Sequence, residues 1–107
     1  MTRIAAFAPD LMDQSKLRAA FAEHELILVR SLAAINAADA DVVLLDLGRP
    51  GVLKVIAQLA PQARVIAFGS HVDDDLLESA RAAGAEQVLP RSVFFRRIPE
   101  LDTAPNE

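Results

Sequence analysis

Asp41-Val42-Val43-Leu44-Leu45-Asp46-Leu47-Gly48-Arg49-Pro50-Gly51 decides the fold. Branched apolar residues run without a polar face and end in a carboxylate, and turn residues follow at once. A strand with no polar side is buried on both sides, and such strands belong to parallel sheets covered by helices. Leu47 to Gly51 is turn chemistry, so the chain leaves the sheet there. In open parallel α/β sheets, ligands bind beyond the carboxyl ends of the strands. Asp46 stands at that edge.

Working outward, the same alternation repeats. Ile4 to Ala8 is a short apolar run stopped by Pro9, a first strand. Asp10 suits a helix N-cap and Asp13 the positive end of that helix, which runs to about Ala22 with Leu17 and Phe21 on one face. Leu26 to Val29 is a second strand, and Ser31 is placed to cap a short Ala-rich helix through about Ala38. After the strand at 41–47, Val52, Val55, Ile56 and Leu59 mark a helix over 52–60, ended by Pro61. Arg64 to Phe68 is a fourth strand closed by Gly69. Ser70-His71-Val72-Asp73 repeats the capping pattern, and Asp73, Asp74 and Asp75 load the start of a fourth helix. Its buried stripe is read as Val72, Leu76, Ala80 and Ala83, with Gly84 as its stop. Gln87 to Leu89 is a brief last strand, which Pro90 places at a sheet edge or ends there. Ser92 to Ile98 makes a short last helix cut by Pro99.

Strand and helix thus alternate five times with short connections, which gives a three-layer α/β domain with a parallel sheet and right-handed crossovers. A doubly wound five-stranded sheet of flavodoxin-like order, 2-1-3-4-5, is the natural solution, although periodicity alone does not fix that order. The 107 residues allow one domain, taken as 1–101 with a polar tail at 102–107. With 52% hydrophobic and 24% charged residues the chain can bury a core. A net charge of −4 disfavours nucleic acid and anionic membranes. There is no cysteine, so no disulfide, thiolate metal site or thiol nucleophile; this is compatible with the cytoplasm, the expected location. No apolar run approaches the roughly 20 residues of a membrane span.

Three stretches resemble the receiver domain of two-component response regulators. Val42 to Gly51 resembles the phosphoacceptor strand, including Pro four residues after Asp46. Arg64 to Ser70 resembles the fourth strand, and Ala82-Ala83-Gly84-Ala85-Glu86 with Gln87 to Arg91 the turn into the fifth. The resemblance implies a receiver fold. It also implies a chemistry in which one Asp takes a phosphoryl group, with Mg²⁺ and an ammonium offsetting the repulsion between anions. Carried over, Asp46 is the candidate phosphoacceptor, and Asp10, Asp46 and the Gly48 carbonyl are the candidate metal ligands. Gly69, Ser70 and Arg91 are the neighbours of the phosphate site.

The departures are as informative. The acidic pair after the first strand is reduced to Pro9-Asp10. Gly69 falls at the position of a hydroxyl residue, with Ser70 one further on. Arg91 stands for the family's Lys, and Val88 for its switch aromatic. One carboxylate fewer weakens divalent binding, and a planar guanidinium does not replace a compact ammonium. The resemblance therefore implies a degenerate, or pseudo-, receiver: a stand-alone, non-enzymatic protein-interaction module of bacterial signalling that requires no cofactor. The alternatives are a working single-domain regulator phosphorylated on Asp46 with Mg²⁺, and a small flavodoxin-like domain for another ligand. The last has no glycine-rich phosphate loop at Ala8-Pro9-Asp10 to support it.

Other candidates have plainer readings. Asp73 to Asp75 is a helix start rather than a metal cluster. His71 is a loop residue that would lie near Asp46, and His24 a surface residue. Phe94 and Phe95, beside Arg91, Arg96 and Arg97, cannot both point inward. One of them is core, and the other, with Arg96, is expected to anchor a protein partner or a self-dimer. That contact would use the face built from the fourth helix, fifth strand and fifth helix.

Overall fold

Residues 2–98 are described by a computed structural model. The order is β1 (Arg3–Phe7), α1 (Leu11–Ala20), β2 (Glu25–Leu28), α2 (Ala33–Ala37), β3 (Val42–Asp46), α3 (Val52–Leu59), β4 (Arg64–Gly69), α4 (Asp74–Ala83), β5 (Gln87–Pro90) and α5 (Arg91–Arg97). The expected tail at 102–107, Pro99 and the last residues of the expected domain lie outside the described residues.

All strand pairs are parallel, in the order β2-β1-β3-β4-β5. Every residue of β3 is buried, as its unbroken apolar run requires. The edge strands β2 and β5 are only partly covered. Period-two alternation along the inner strands sorts their side chains into two layers. Ile4, Ala6, Val42, Leu44, Ile66 and Phe68 pack against Leu17 and Phe21 from the α1 side and Phe94 and Ile98 from the α5 side. Ala5, Phe7, Val43, Leu45, Val65 and Ala67 pack against Ile35, Val52, Ile56, Leu59, Leu77 and Ala80 under α2, α3 and α4. Each fully buried Val, Leu, Ile or Phe among them contributes about 1.5–3 kcal/mol relative to exposure.

Two local expectations are corrected. Ser31 does not cap α2 with its side chain. The N-cap is Leu32, and Ser31 contributes only its carbonyl, which accepts from Ala34 N–H at 3.2 Å. Val72 is not part of the α4 stripe but 77% exposed. The helix begins at Asp74, so Val72 lies ahead of it and the helical phase does not reach back. The inward positions are Leu77 and Ala80, with Leu76 and Ala83 partly buried. Gly84 stops α4 as expected, at φ 116°, with its N–H turned back to the carbonyls of Ala80 and Arg81. A Cβ there would lie 2.8 Å from the Cβ of Ala60, so glycine is required twice over.

Candidate functional site

Asp46 is the last residue of β3. Alternation points its side chain, like those of Val42 and Leu44, toward α1 and α5, and the register sets it beside Phe68. It is buried, with its Oδ1 accepting the Gly48 N–H at 2.9 Å. A Cβ at position 48 would sit 3.2 Å from that oxygen, so a small residue suits the turn. The contact made by Gly48 is thus an N–H donated to Asp46.

The second oxygen, Oδ2, lies 3.9 Å from Nη1 of Arg91. Arg91 opens α5, and its Nη2 donates to Oδ2 of Asp13 on α1. One guanidinium therefore stands between two carboxylates drawn from β3 and α1. Its Cζ also lies 5.5 Å from the centre of the Phe68 ring and 5.4 Å from that of Phe95. Rings on this scale of separation favour a cation electrostatically. The side chain of Arg91 is 41% exposed and that of Asp13 only 4%.

In the sequence Asp13 reads only as a dipole partner at the start of a helix, not as a site residue. The overlooked signal is spacing. Asp13 precedes Leu17 and Phe21 at intervals of four, so it continues the buried stripe. Asp10, by contrast, serves its own helix. Its Oδ1 accepts the N–H groups of Met12 at 2.8 Å and Asp13 at 3.1 Å. The Asp13 N–H is the main cause that holds its carboxyl below the ordinary 3.8. Desolvation opposes it, while the Met12 N–H and the charges of Arg91 and Lys16 help.

No protein-family model matches the sequence, and no curated protein is similar to it. Solved structures are similar to it throughout. The receiver domain of TorR, a response regulator of trimethylamine N-oxide respiration, superposes with a TM-score of 0.82 at 17% identity, over 92% of this chain and 90% of that one. A response regulator from Hahella chejuensis gives 0.77 at 21% identity, over 92% and 89%. A response regulator in its Mn²⁺-bound form gives 0.79 at 16%, over 100% and 99%. The chain has the receiver fold.

Gly69 is buried at the end of β4, and a Cβ on it would come within 3.2 Å of Leu47 Cβ and 3.5 Å of Leu77 Cδ2, on the α4 side of the sheet. Ser70 is exposed, and its hydroxyl oxygen accepts from Val72 N–H at 3.4 Å in a local turn. Val88 is buried among the residues under α4. His71 is exposed in the same turn region. His24 is half-buried rather than a surface residue; its Nδ1 accepts from Thr2 N–H and its ring meets the edge of Phe21. The cap of α4 is Asp73, which accepts from Leu76 N–H at 3.2 Å, and not Ser70 as the capping pattern suggested; Asp74 and Asp75 alone fill the first turn. Among the described residues no group of three or more His, Asp or Glu is arranged to hold a metal ion.

The aromatic pair divides between the core and its boundary. Phe94 is fully buried and stacks on Phe68, with ring centres 4.5 Å apart. Phe95 is half-buried, edge-on to both of those rings, and Lys16 Nζ lies 5.1 Å above it. The two side chains do diverge, but neither stands free as an exposed apolar knob. Arg96 is exposed.

Proposed function

We propose that this chain is a phosphorylation-independent receiver, a non-enzymatic module that acts in bacterial-type signalling by binding another protein. The observation that carries the reading is Arg91 held between Asp13 and Asp46. A carboxylate that attacks a phosphoryl group needs a free oxygen and cations aimed at the transferred oxygens. Here the oxygen of Asp46 that lacks a backbone partner faces a guanidinium already tied to a second carboxylate.

The donors do not fit Mg²⁺ well. That ion seeks near-octahedral oxygen coordination. Asp10 is committed to its helix cap, Asp46 Oδ1 to the Gly48 N–H, and Asp13 to Arg91. The corner has its positive charge built in, so no cofactor is required. No helix among the described residues is long and apolar enough to cross a membrane, and a cytoplasmic setting belongs to the proposal.

Related folds keep the other outcome open to measurement, since one similar structure is a receiver activated by beryllofluoride and another is Mn²⁺-bound. The deciding experiment is an amide NMR titration with Mg²⁺, then with Mg²⁺ plus beryllofluoride, which mimics an acyl phosphate. The expected result is an unchanged spectrum at millimolar concentrations. Saturable shifts around Asp10, Asp46, Ser70 and Arg91 that vanish in Asp46→Asn would instead make the chain a working regulator phosphorylated on Asp46.

A further inference from the structure

Between the ends of α2 and α3 the packing is open. A cavity of about 470 Å³ lies there, within the range of about 300–1,000 Å³ usual for small-molecule sites. Ile35, Val43 and Leu59 are its buried lining, and Ala40 and Ala63 complete the apolar part. The gap has a cause in the sequence. The helix α2 ends after five residues, and Ala40 and Ala63 place only methyl groups where larger side chains would close the space. The cavity is separate from the Asp46 corner. Val43 lies near the start of β3 and Asp46 at its end, and their side chains belong to opposite faces of the sheet.

The polar lining is Asp39, Gln58 and Gln62, all exposed. Among the described residues, none of these three side chains is engaged in a hydrogen bond or ion pair. No Lys or Arg lines the cavity, so Asp39 gives it a net negative charge. Asp39 sits at φ 50°, a left-handed conformation that Asp and Asn adopt more readily than most residues. The helix ends add to the charge. C-terminal carbonyls are partly negative, and α1, α4 and α5 each meet them with Arg in the last turn. Neither α2 nor α3 has a basic residue there. Gln58 and Leu59 belong to the last turn of α3, and Asp39 follows closely on the end of α2. The two helices without a cation are therefore the two whose ends meet at this cavity.

We infer that this cavity binds a small organic cation, an ammonium or guanidinium on a short apolar stem. Asp39 takes the charge, and Gln58 and Gln62 offer amide donors and acceptors to further polar groups. The Ala-lined part takes the stem. An anion meets repulsion from Asp39 and from the helix ends alike. A purely apolar ligand would strip water from three polar groups without replacing it. A free molecule fits better than a side chain of a partner protein. Among the described residues no strongly exposed large apolar side chain lines the cavity to anchor such a partner. The inference goes beyond the proposed protein-binding role and is independent of the state of Asp46.

The test is amide NMR of the whole chain titrated with putrescine and with agmatine, which pairs an amine with a guanidinium, at constant ionic strength. Butanediol, of similar length but uncharged, is the reference. Both cations are expected to give saturable shifts at Asp39, Ala40, Gln58 and Gln62, and the diol none at the same concentration. Asp39→Asn removes the charge but keeps a residue that accepts the left-handed conformation. It should weaken binding about fivefold, the worth of an ion pair at an open site. Ala63→Leu fills part of the cavity and should abolish saturation. Asp75→Asn changes an exposed carboxylate on α4 and should leave binding as it was. A native spectrum away from the cavity checks that each variant folds.

The absence of saturable shifts at these positions would overturn the inference. So would equal shifts from butanediol, since the charge would then play no part. Shifts spread over the acidic surface and unchanged by Asp39→Asn would reduce the effect to counter-ion attraction and overturn it too. Undiminished binding by Ala63→Leu would put the cation outside the cavity. Tighter binding by a Lys-containing hexapeptide than by either free amine would make a protein the occupant and overturn the assignment to a small molecule. The Mg²⁺ and beryllofluoride titration reads other residues, so either result can fail alone.

Discussion

Arg91 is the residue on which the candidate site turns, and magnitudes show why. An exposed ion pair contributes about 0–1 kcal/mol, while orphaning a buried charge costs about 3–5. Asp13 is buried and Arg91 is partly in water, so the pair lies between these limits. Arg91→Met keeps an apolar stem against Phe68 and Phe95 but leaves Asp13 without its cation. It should destabilise the chain by about 2 kcal/mol in urea unfolding. Adding Asp13→Leu should return most of that loss, because a buried pair replaced by packed apolar groups is close to neutral. If the two substitutions instead add independently, the pair is not coupled. Asp46, Gly48 and Arg91 were legible in the sequence by position. Which carboxylate Arg91 would reach was not, although Asp13, Leu17 and Phe21 share a stripe.

At the scale of the element, α1 is set by its cap. Asp10 accepts two backbone N–H groups, and its carboxyl titrates below 3.8 in the folded chain. A depressed carboxyl stabilises the fold fully above its unfolded value and ceases to do so as pH falls through the lowered value. Thermal unfolding between about pH 2 and 5 should therefore show an acid-side loss that Asp10→Asn flattens. Asn keeps an acceptor at the cap, so Asp10→Asn should also be milder than Asp10→Ala at neutral pH. An unchanged acid limb in Asp10→Asn would show that other carboxylates govern it. The elements that departed from expectation are those whose signals were weakest. Ser31 and Val72 sit in connections, where one residue of slip in a helix start changes a side chain's role.

Across the whole molecule, the sheet separates two layers that depend on different helices. The layer under α1 and α5 is built around Phe68 and Phe94 in stacked contact. Phe94→Ala should cost about 4 kcal/mol, a large share of the 5–15 typical of a domain. Hydrogen exchange should then rise first in α5 and α1, while α3 and the inner strands keep their protection longest. A loss under about 1 kcal/mol would mean that α5 is peripheral to folding. The alternation of strands and helices, and with it this layering, was readable from short apolar runs and their Gly, Pro and Asp punctuation. The receiver-like order needed the resemblance carried by the strand ending at Asp46.

The amino-acid sequence alone determined the ten elements, the cap at Asp10, the stop at Gly84 and the place of Asp46 at the carboxyl end of β3. Each rests on patterns a few residues long, where propensity and capping act. Tertiary structure decided that Phe94 is core and that Asp13 is buried. The physical reason is distance along the chain. Arg91 and Asp13 stand 78 residues apart, and only the parallel sheet that brings α5 beside α1 lets one charge choose the other.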